Sequence, residues 1–114
     1  QKPSSAASDV YKRQNKCIVS LESVPPMFNP QGTLHGGIIT TIMDISMGHL
    51  IKNEQSAGTT LELKVNFMSA IKHEKIKCIG SFLKKGRTIS TLDSQLFRED
   101  GKLAAYATST WKIL

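Results

Sequence analysis

The stretch Asn29-Pro-Gln-Gly-Thr-Leu-His-Gly-Gly37 leads directly into Ile38-Ile-Thr-Thr-Ile-Met-Asp-Ile-Ser-Met-Gly-His-Leu50, and the rest of the chain is organised around it. The first half is rich in glycine and turn-forming residues, and the second half has helical spacing. A glycine-rich entry frees backbone N–H groups at the positive end of a helix dipole, where they can hold an anion or a polarised oxygen. The alternative is that the glycines only make a flexible helix start.

The helix itself is predicted over residues 36–51. Its apolar residues cover most of the circumference, which predicts a largely buried helix. Thr40, Asp44, Gly48 and Lys52, spaced four apart, form its one polar or small stripe. Asp44 is the only acid in the predicted helix, and a carboxylate in a largely buried helix requires an explanation. It has either a catalytic role or a structural role at a subunit interface.

The rest of the chain has the pattern of β-strands joined by short turns. We predict strands over 17–24, 59–68, 71–84, 88–98 and 103–113. Lys85-Gly86 and Asp100-Gly101 are expected to form the turns between the last three strands. The predicted class is α+β, with one long central helix wrapped by a curved antiparallel meander of about five strands.

Residues 1–14 (QKPSSAASDVYKRQ) are mostly small and polar and show neither the periodicity of a helix nor that of a strand. We expect them to be a disordered or non-native tail, such as a linker or a cloning remnant. Residues 15–114 are then a single small domain, which favours oligomerisation as a way to bury more surface. No run of apolar residues is long enough for a membrane span, and no signal-peptide pattern is present, so a soluble cytoplasmic protein is expected.

The formal net charge of +6 suits an anionic ligand, and part of it comes from the first 14 residues. The alternative is a solvated basic surface. Cys17 and Cys78 are far apart and lack metal-ligand spacing. We expect two thiols in apolar strands of a cytosolic protein rather than a disulfide.

Asn29, His35-Gly36-Gly37 and Asp44, nine residues after the histidine, together resemble the PaaI-like acyl-CoA thioesterases of the hotdog fold. The resemblance covers about residues 16–114 and includes the 58–69 strand and the 83–88 turn. Two features depart from that family. The proline common in the segment equivalent to 67–70 is absent, and the N-terminal helix found in many relatives is absent or replaced by the tail.

This resemblance implies hydrolysis of a thioester. Asp44 is then the general base or nucleophile, and the Gly36 N–H polarises the thioester oxygen. Asn29 orients water or substrate, His35 supports the turn and the thioester, and Thr60 helps to hold the attacking water. No metal or separate cofactor is implied, because coenzyme A is part of the substrate.

The spacing of Gly36 and Asp44 adds a constraint. Eight residues of helix separate them by roughly 12 Å along the axis, so they cannot act on one carbonyl from one subunit. If two helices lie antiparallel across a two-fold axis, the Gly36 end of one meets Asp44 of the other. The sequence therefore predicts a homodimer with composite sites, expected to pair further into a tetramer.

The basic turn Lys84-Lys85-Gly86-Arg87 is the candidate site for the phosphates of coenzyme A. Its alternative is a solvated hairpin tip. His49 and His73 have no predicted partner and are interpreted as structural or surface residues. The single Trp111 is expected in the core or at an interface.

Three other functions compete with thioester hydrolysis. A non-catalytic acyl-CoA-binding or sensor domain on the same fold would be indicated by loss of the acid, but Asp44 is present. A hydratase or dehydratase would need a different context around His35. No motif supports a nucleic-acid binder, and no nucleic-acid or membrane partner is expected.

Overall fold

The computed structural model describes residues 8–13 and 15–114, and one α-helix packs there on a single antiparallel sheet. The helix α1 spans Gly36–Glu54 and follows a short 3-10 turn at Pro25–Met27. The strands, in chain order, are β1 Ser8–Arg13, β2 Lys16–Glu22, β3 Gly58–Phe67, β4 Lys75–Lys84, β5 Ile89–Phe97 and β6 Leu103–Ile113. The predicted long helix against an antiparallel sheet is confirmed.

The strand order in the sheet is β1-β2-β4-β5-β6-β3. The predicted meander is right only for β4, β5 and β6. It is wrong for β3, which lies beyond β6, because α1 carries the chain across the sheet between β2 and β3. Within the described residues, β3 therefore has one edge with no neighbouring strand.

Ser8–Arg13 lie within the segment expected to be a non-native or disordered tail, and the structure describes them as a strand. These residues form β1, which pairs with β2 from Ser8 opposite Leu21 to Arg13 opposite Lys16. An edge strand is held by backbone hydrogen bonds and does not need alternating apolar side chains. The sequence pattern therefore did not predict β1. Residues 1–7 and 14 lie outside the described residues, and the non-native origin of the tail stays a prediction.

The core lies between one face of α1 and the inner face of the sheet. Met43 and Met47 are fully buried there, against strand residues such as Leu92 and Leu96. The prediction of a largely buried helix is right for this face alone, since Ile45 on another face is 41% exposed. Among the described residues, no helix is long and apolar enough to cross a membrane.

Both cysteines are buried thiols on the inner face of the sheet, Cys17 in β2 and Cys78 in β4, and no disulfide joins them. Burial raises the pKa of the Cys78 thiol, partly offset by a hydrogen bond with Ser94. A thiol with a raised pKa is a poor nucleophile at neutral pH, so Cys78 is a packing residue.

The segment before β4 is a loop, although the sequence predicted that this strand starts at residue 71. Ser23 is buried, and its hydroxyl bonds to the backbone carbonyls of Lys72 and Glu74. The carbonyl of Ile71 accepts the N–H of Leu34. These contacts take up the backbone groups that a longer β4 would have used, so the strand begins at Lys75.

Gly80 lets α1 lie close to β4. A Cβ placed on Gly80 would stand 2.7 Å from the Ser46 carbonyl oxygen of the helix backbone. We expect Gly80→Ala to lower the free energy of unfolding by about 1–3 kcal/mol, because helix and sheet must move apart. Urea titration followed by circular dichroism measures this change. Ser81→Ala, one residue along the same strand, is the control and is expected to change stability much less.

Candidate active site

The turn before α1 is organised by Asn29. Its side-chain oxygen accepts hydrogen bonds from the backbone N–H groups of Gln31 and Thr33, at 3.0 and 3.1 Å, and from the Thr33 hydroxyl at 3.2 Å. Since this oxygen accepts three bonds, the amide orientation is well determined. Within the described part of the chain the Asn29 NH₂ group has no partner, so it is the part of the side chain that is available to a ligand.

His35 is the N-cap of α1. Its Nδ1 accepts the N–H of Gly37 at 2.9 Å, and its backbone carbonyl accepts the N–H groups of Ile38 and Ile39. An accepting Nδ1 carries no proton, which leaves Nε2–H as a donor from an exposed ring. His35 thus supports the turn that opens α1.

Gly36 carries the remaining amide of the first helical turn. The N–H groups of Gly37, Ile38 and Ile39 are all bonded to His35, whereas that of Gly36 has no acceptor among the described residues. An unpaired N–H at a helix N-terminus is a suitable donor to a developing oxyanion. The exposed ring of Phe67 at the end of β3 lies beside it, 3.5 Å from where a Gly36 Cβ would be.

Asp44 lies half-buried in the middle of α1, and the Thr60 hydroxyl donates to its Oδ1 at 3.2 Å. Among the described residues it has no ion-pair partner. A carboxylate with one oxygen hydrogen-bonded and the other open can take a proton from water or attack a carbonyl. Asp44 and Thr60, predicted to act together, are thus in contact.

A β-bulge at Leu61 brings Thr60 to this place. Leu63 and Val65 pack on the core from the helix-facing side of β3, so simple alternation would point Thr60 to the other side. The register against β6 shifts between Thr60 and Glu62, and the extra residue restores Thr60 to the face of Asp44. The sequence carries no clear signal for this bulge.

The two halves of the predicted site stand apart along the same edge of the molecule. Gly36 lies beside Phe67 at one end of β3, and Asp44 lies beside Thr60 near the other end. Eight helical residues separate Gly36 and Asp44 by roughly 12 Å along the axis. The Gly36 N–H and the Asp44 carboxylate of one chain are therefore too far apart to contact the same carbonyl group.

The basic turn is only partly available to a ligand. Lys85 forms an ion pair with Glu54 at 3.2 Å, with its ammonium 4.8 Å from the centre of the Phe82 ring. The Gly86 N–H donates to Ser90, and a Cβ on Gly86 would stand 1.8 Å from the Ile89 carbonyl oxygen. Gly86 is thus required by the turn itself.

Lys84 and Arg87 are the two exposed cations that remain in this turn. Neither side chain has a partner among the described residues. The turn is held next to the end of α1, where Gln55 donates to the Gly86 carbonyl at 2.7 Å and accepts from Ser90 at 2.7 Å. Two unpaired cations therefore sit on a turn whose position relative to the helix is fixed.

A shallow depression of about 240 Å³, which the sequence did not predict, lies beside Asp44. Its lining comes from α1 and β6: Asp44, Ile45, Gly48, His49, Lys52 and Trp111. His49, interpreted as a structural or surface residue, lines the same depression as Asp44. His73 instead contacts Glu22 at 3.0 Å, away from the site. Trp111 is in the core as expected, at 6% exposure.

A larger concavity, of about 720 Å³, lies at the outer face of the sheet, where Lys75, Lys77 and Phe97 contribute to its lining. None of the predicted site residues lines it.

Comparisons with known proteins agree with this geometry. A family model described as the thioesterase superfamily matches residues 31–105. Human acyl-coenzyme A thioesterase 13 is 35% identical over 99 residues, covering 83% of this chain and 71% of that protein. A predicted esterase of Saccharolobus solfataricus is 38% identical over 85 residues, or 73% of this chain. The chain spans only 61% of the length of that archaeal relative.

Solved structures show the same fold. A Streptococcus pneumoniae thioesterase crystallised with coenzyme A is 25% identical with a TM-score of 0.89, covering 93% of this chain and 87% of that one. Two further structures of that protein have alanine in place of an aspartate and of a threonine sixteen residues later. Escherichia coli PaaI is 13% identical with a TM-score of 0.88, over 94% of this chain and 79% of that one. The expected PaaI-like hotdog fold is confirmed.

Proposed function

Because the chain belongs to the thioesterase superfamily, we propose that it hydrolyses acyl-CoA thioesters to a free acid and coenzyme A. The observation that carries this proposal is the pair of half-sites on one edge of the molecule. One is an unpaired Gly36 N–H at a helix N-terminus, and the other is Asp44 with the Thr60 hydroxyl on its Oδ1. Together these are the oxyanion donor and the base or nucleophile that acyl transfer requires.

The active unit in this proposal is a homodimer joined through β3. That strand has a free edge within the described chain, and the nearby side chains of Ile45, Leu61 and Phe67 are 41%, 55% and 55% exposed. An apolar edge strand is a natural pairing surface. Antiparallel pairing of two β3 strands about a two-fold axis sets Gly36 of each subunit against Asp44 of the other. We expect two such dimers to associate into a tetramer.

Each residue then has a defined task. A water oxygen adds to the thioester carbonyl carbon while Asp44 takes its proton, or the Asp44 carboxylate attacks first and water releases the acyl group. The partner's Gly36 N–H stabilises the carbonyl oxygen as it becomes negative. The C–S bond then breaks, and the thiolate leaves and takes up a proton. The amide of Asn29 and the Nε2–H of His35 lie in the turn beside Gly36 and are available to orient water or substrate.

The comparisons support this assignment through what the relatives do. The human relative is named an acyl-coenzyme A thioesterase, and the pneumococcal protein was crystallised with coenzyme A. The aspartate and threonine replaced in that protein have the separation of Asp44 and Thr60, sixteen residues. Cys17 and Cys78 are buried and form no disulfide, which is consistent with the proposed location in the reducing cytoplasm.

Free-thiol release from a panel of aryl and straight-chain acyl-CoA substrates tests the function directly. Hydrolysis of at least one member at a rate above the uncatalysed background is expected. A non-catalytic acyl-CoA-binding domain is the alternative, and it would bind the panel without releasing thiol. The unpaired carboxylate of Asp44 disfavours it, because a binding domain has no need of a half-buried charge at the thioester.

We expect Arg87→Ala to raise the KM for acyl-CoA about tenfold with little change in kcat. Arg87 and Lys84 are the unpaired cations of the basic turn, and a charge-assisted bond to phosphate contributes about 1.5–3 kcal/mol. Steady-state kinetics measures both constants. Lys102→Ala removes an exposed cation from the β5–β6 turn and serves as the control. An equal increase in KM for both variants would mean that general surface charge, not this turn, attracts the substrate.

A further inference from the structure

The concavity of about 720 Å³ on the outer face of the sheet is formed by the end of β2, the start of β4, the end of β5 and the turn between β5 and β6. Its volume falls within the range of about 300–1,000 Å³ that is typical of small-molecule sites. No residue assigned to thioester hydrolysis lines it. A ligand held here is therefore separate from the proposed reaction centre.

The strand register brings three side chains of the concavity together. Lys77 of β4 is directly opposite Ser20 of β2 and Phe97 of β5. Directly opposed residues of antiparallel strands point to the same face of the sheet, so the Lys77 side chain lies between a hydroxyl group and an aromatic ring. Ile79, two residues further along β4, points to this face as well. The concavity thus has a cation next to an apolar surface.

The apolar surface of Ile79 and Phe97 is not used by the core. Both side chains are half-buried, but neither belongs to the hydrophobic cluster between α1 and the sheet or packs against it. They point to the opposite face and remain partly in contact with water. A ligand with an apolar body that covers them removes this surface from water, which favours binding.

The two carboxylates of the concavity lie at its other end, around Lys75. Glu22 is directly opposite Lys75 and contacts His73 at 3.0 Å. Glu99 accepts the backbone N–H of Lys75 at 2.9 Å. Both carboxylates are thus hydrogen-bonded, and they offset the charge of the Lys75 ammonium. The positive charge that remains for a ligand lies one residue pair further along β4, at Lys77.

Lys77 and Ser20 have the chemistry to hold a carboxylate. Among the described residues, neither the Lys77 ammonium nor the Ser20 hydroxyl has a hydrogen-bond or ion-pair partner, whereas Arg98, another cation of the lining, is paired with Asp100 at 3.1 Å. An ammonium and a hydroxyl together donate to the two oxygens of a carboxylate. A phosphate dianion is disfavoured, because the carboxylates around Lys75 repel its second charge.

We propose that this concavity is a second ligand site, for a small carboxylic acid with an aromatic or short aliphatic body. Lys77 and Ser20 bind the carboxylate, and the body of the acid lies on Phe97 and Ile79. The proposal concerns binding alone and goes beyond thioester hydrolysis. The acid that hydrolysis releases belongs to the same chemical class, so the site would hold such a product on the face of the sheet that α1 does not cover.

The test is a titration of the ¹⁵N-labelled full chain with 3-phenylpropanoate, followed by NMR. We expect saturable shifts of the backbone amides of Lys77, Ile79 and Phe97, with a Kd of about 1 mM for a ligand of this size. 3-Phenylpropan-1-ol lacks the charge and acetate lacks the ring. Each is expected to bind at least about tenfold more weakly than the acid.

Lys77→Met keeps most of the stem of the side chain and removes its charge. It is expected to weaken 3-phenylpropanoate binding at least about tenfold and to leave the binding of the alcohol unchanged, because only the acid uses the ammonium. Lys64→Met, at an exposed position of β3, makes the same chemical change far from the concavity and is the control. Both positions are exposed, so the fold is expected to tolerate both substitutions.

Equal affinities for the acid and the alcohol, or an unchanged affinity in Lys77→Met, would overturn the proposal. Shifts confined to the residues around Asp44 would also overturn it, because the acid would then bind only at the reaction centre. A change in the mass of the assembly in Lys77→Met, measured by light scattering, would identify this face as an interface between copies instead. Absence of thioester hydrolysis by the wild type would refute the proposed function alone, since the titration needs no turnover.

Discussion

Asp44→Asn is expected to lower kcat for acyl-CoA hydrolysis by at least about 100-fold, the loss typical of a positioned base. Asparagine keeps the size of the side chain and can still accept the Thr60 hydroxyl bond seen at 3.2 Å, but it cannot take a proton from water or attack a carbonyl. The free energy of unfolding and the oligomeric state are expected to stay at their wild-type values. Free-thiol release, urea titration and light scattering measure these three quantities.

Asp93→Asn is the matched control for this variant. Asp93 is also half-buried and also accepts a hydroxyl bond, from Tyr106 at 2.9 Å, but it belongs to β5 and is bonded to a residue of β6. Its substitution makes the same chemical change and is expected to leave kcat unchanged. Wild-type turnover in Asp44→Asn, or an equal loss in Asp93→Asn, would show that the Asp44 carboxylate is not the reacting group.

Gly36→Pro is expected to lower kcat about 100- to 1000-fold, the loss typical of removing one oxyanion-hole donor. Proline removes the N–H, which has no acceptor among the described residues, and it is a favoured residue at the first helical position. His35 before it has φ −64° and ψ 136°, a conformation that a following proline permits. Stability is therefore expected to change little while turnover falls.

Gly36→Ala distinguishes the effect of losing the N–H from the effect of adding a side chain, because it adds a Cβ and keeps the N–H. Its Cβ would lie 3.5 Å from the Phe67 ring, an ordinary contact, and its N–H remains. This variant is expected to retain most of the wild-type kcat. If Gly36→Ala were as inactive as Gly36→Pro, the defect would come from crowding at Phe67 and the oxyanion assignment would fail.

Mixing the two inactive variants tests whether the sites are composite. In a dimer of Asp44→Asn with Gly36→Pro, one site holds both changes and the other holds neither. Random mixing of equal amounts, by co-expression or refolding, is then expected to recover about a quarter of the wild-type rate. No recovery in verified mixed dimers would place Asp44 and Gly36 in one subunit's site and overturn the proposed arrangement.

The residues proposed for chemistry were readable from the sequence because their roles depend on local spacing. His35 caps the helix and leaves the Gly36 N–H unpaired through contacts within four residues of sequence. The distance between Gly36 and Asp44 follows from helix geometry alone. Asn29 and the turn it organises are likewise local. The long helix, the later strands and the resemblance to the hotdog fold were likewise predicted from local sequence patterns.

Features that depend on distant contacts were not predicted from the sequence. The bulge at Leu61 that turns Thr60 toward Asp44 exists only in the pairing of β3 with β6. Lys85, predicted to bind phosphate, is engaged by Glu54 at the end of α1. β1 owes its place to the edge of β2 rather than to any period of its own.

By itself, the sequence determined a glycine-rich turn that opens a helix and, eight residues after Gly36, the only acid of the predicted helix; this spacing predicts two half-sites on different subunits. These follow from bond geometry and spacing along one helix. Only the tertiary structure decided the rest: that Thr60 meets Asp44, that β3 has a free edge within the described residues, and that the buried Trp111 ring packs closely against Gly48. Each of these depends on how β3 and β6 register against one another and against α1, and strand register is set by long-range packing that no local pattern encodes.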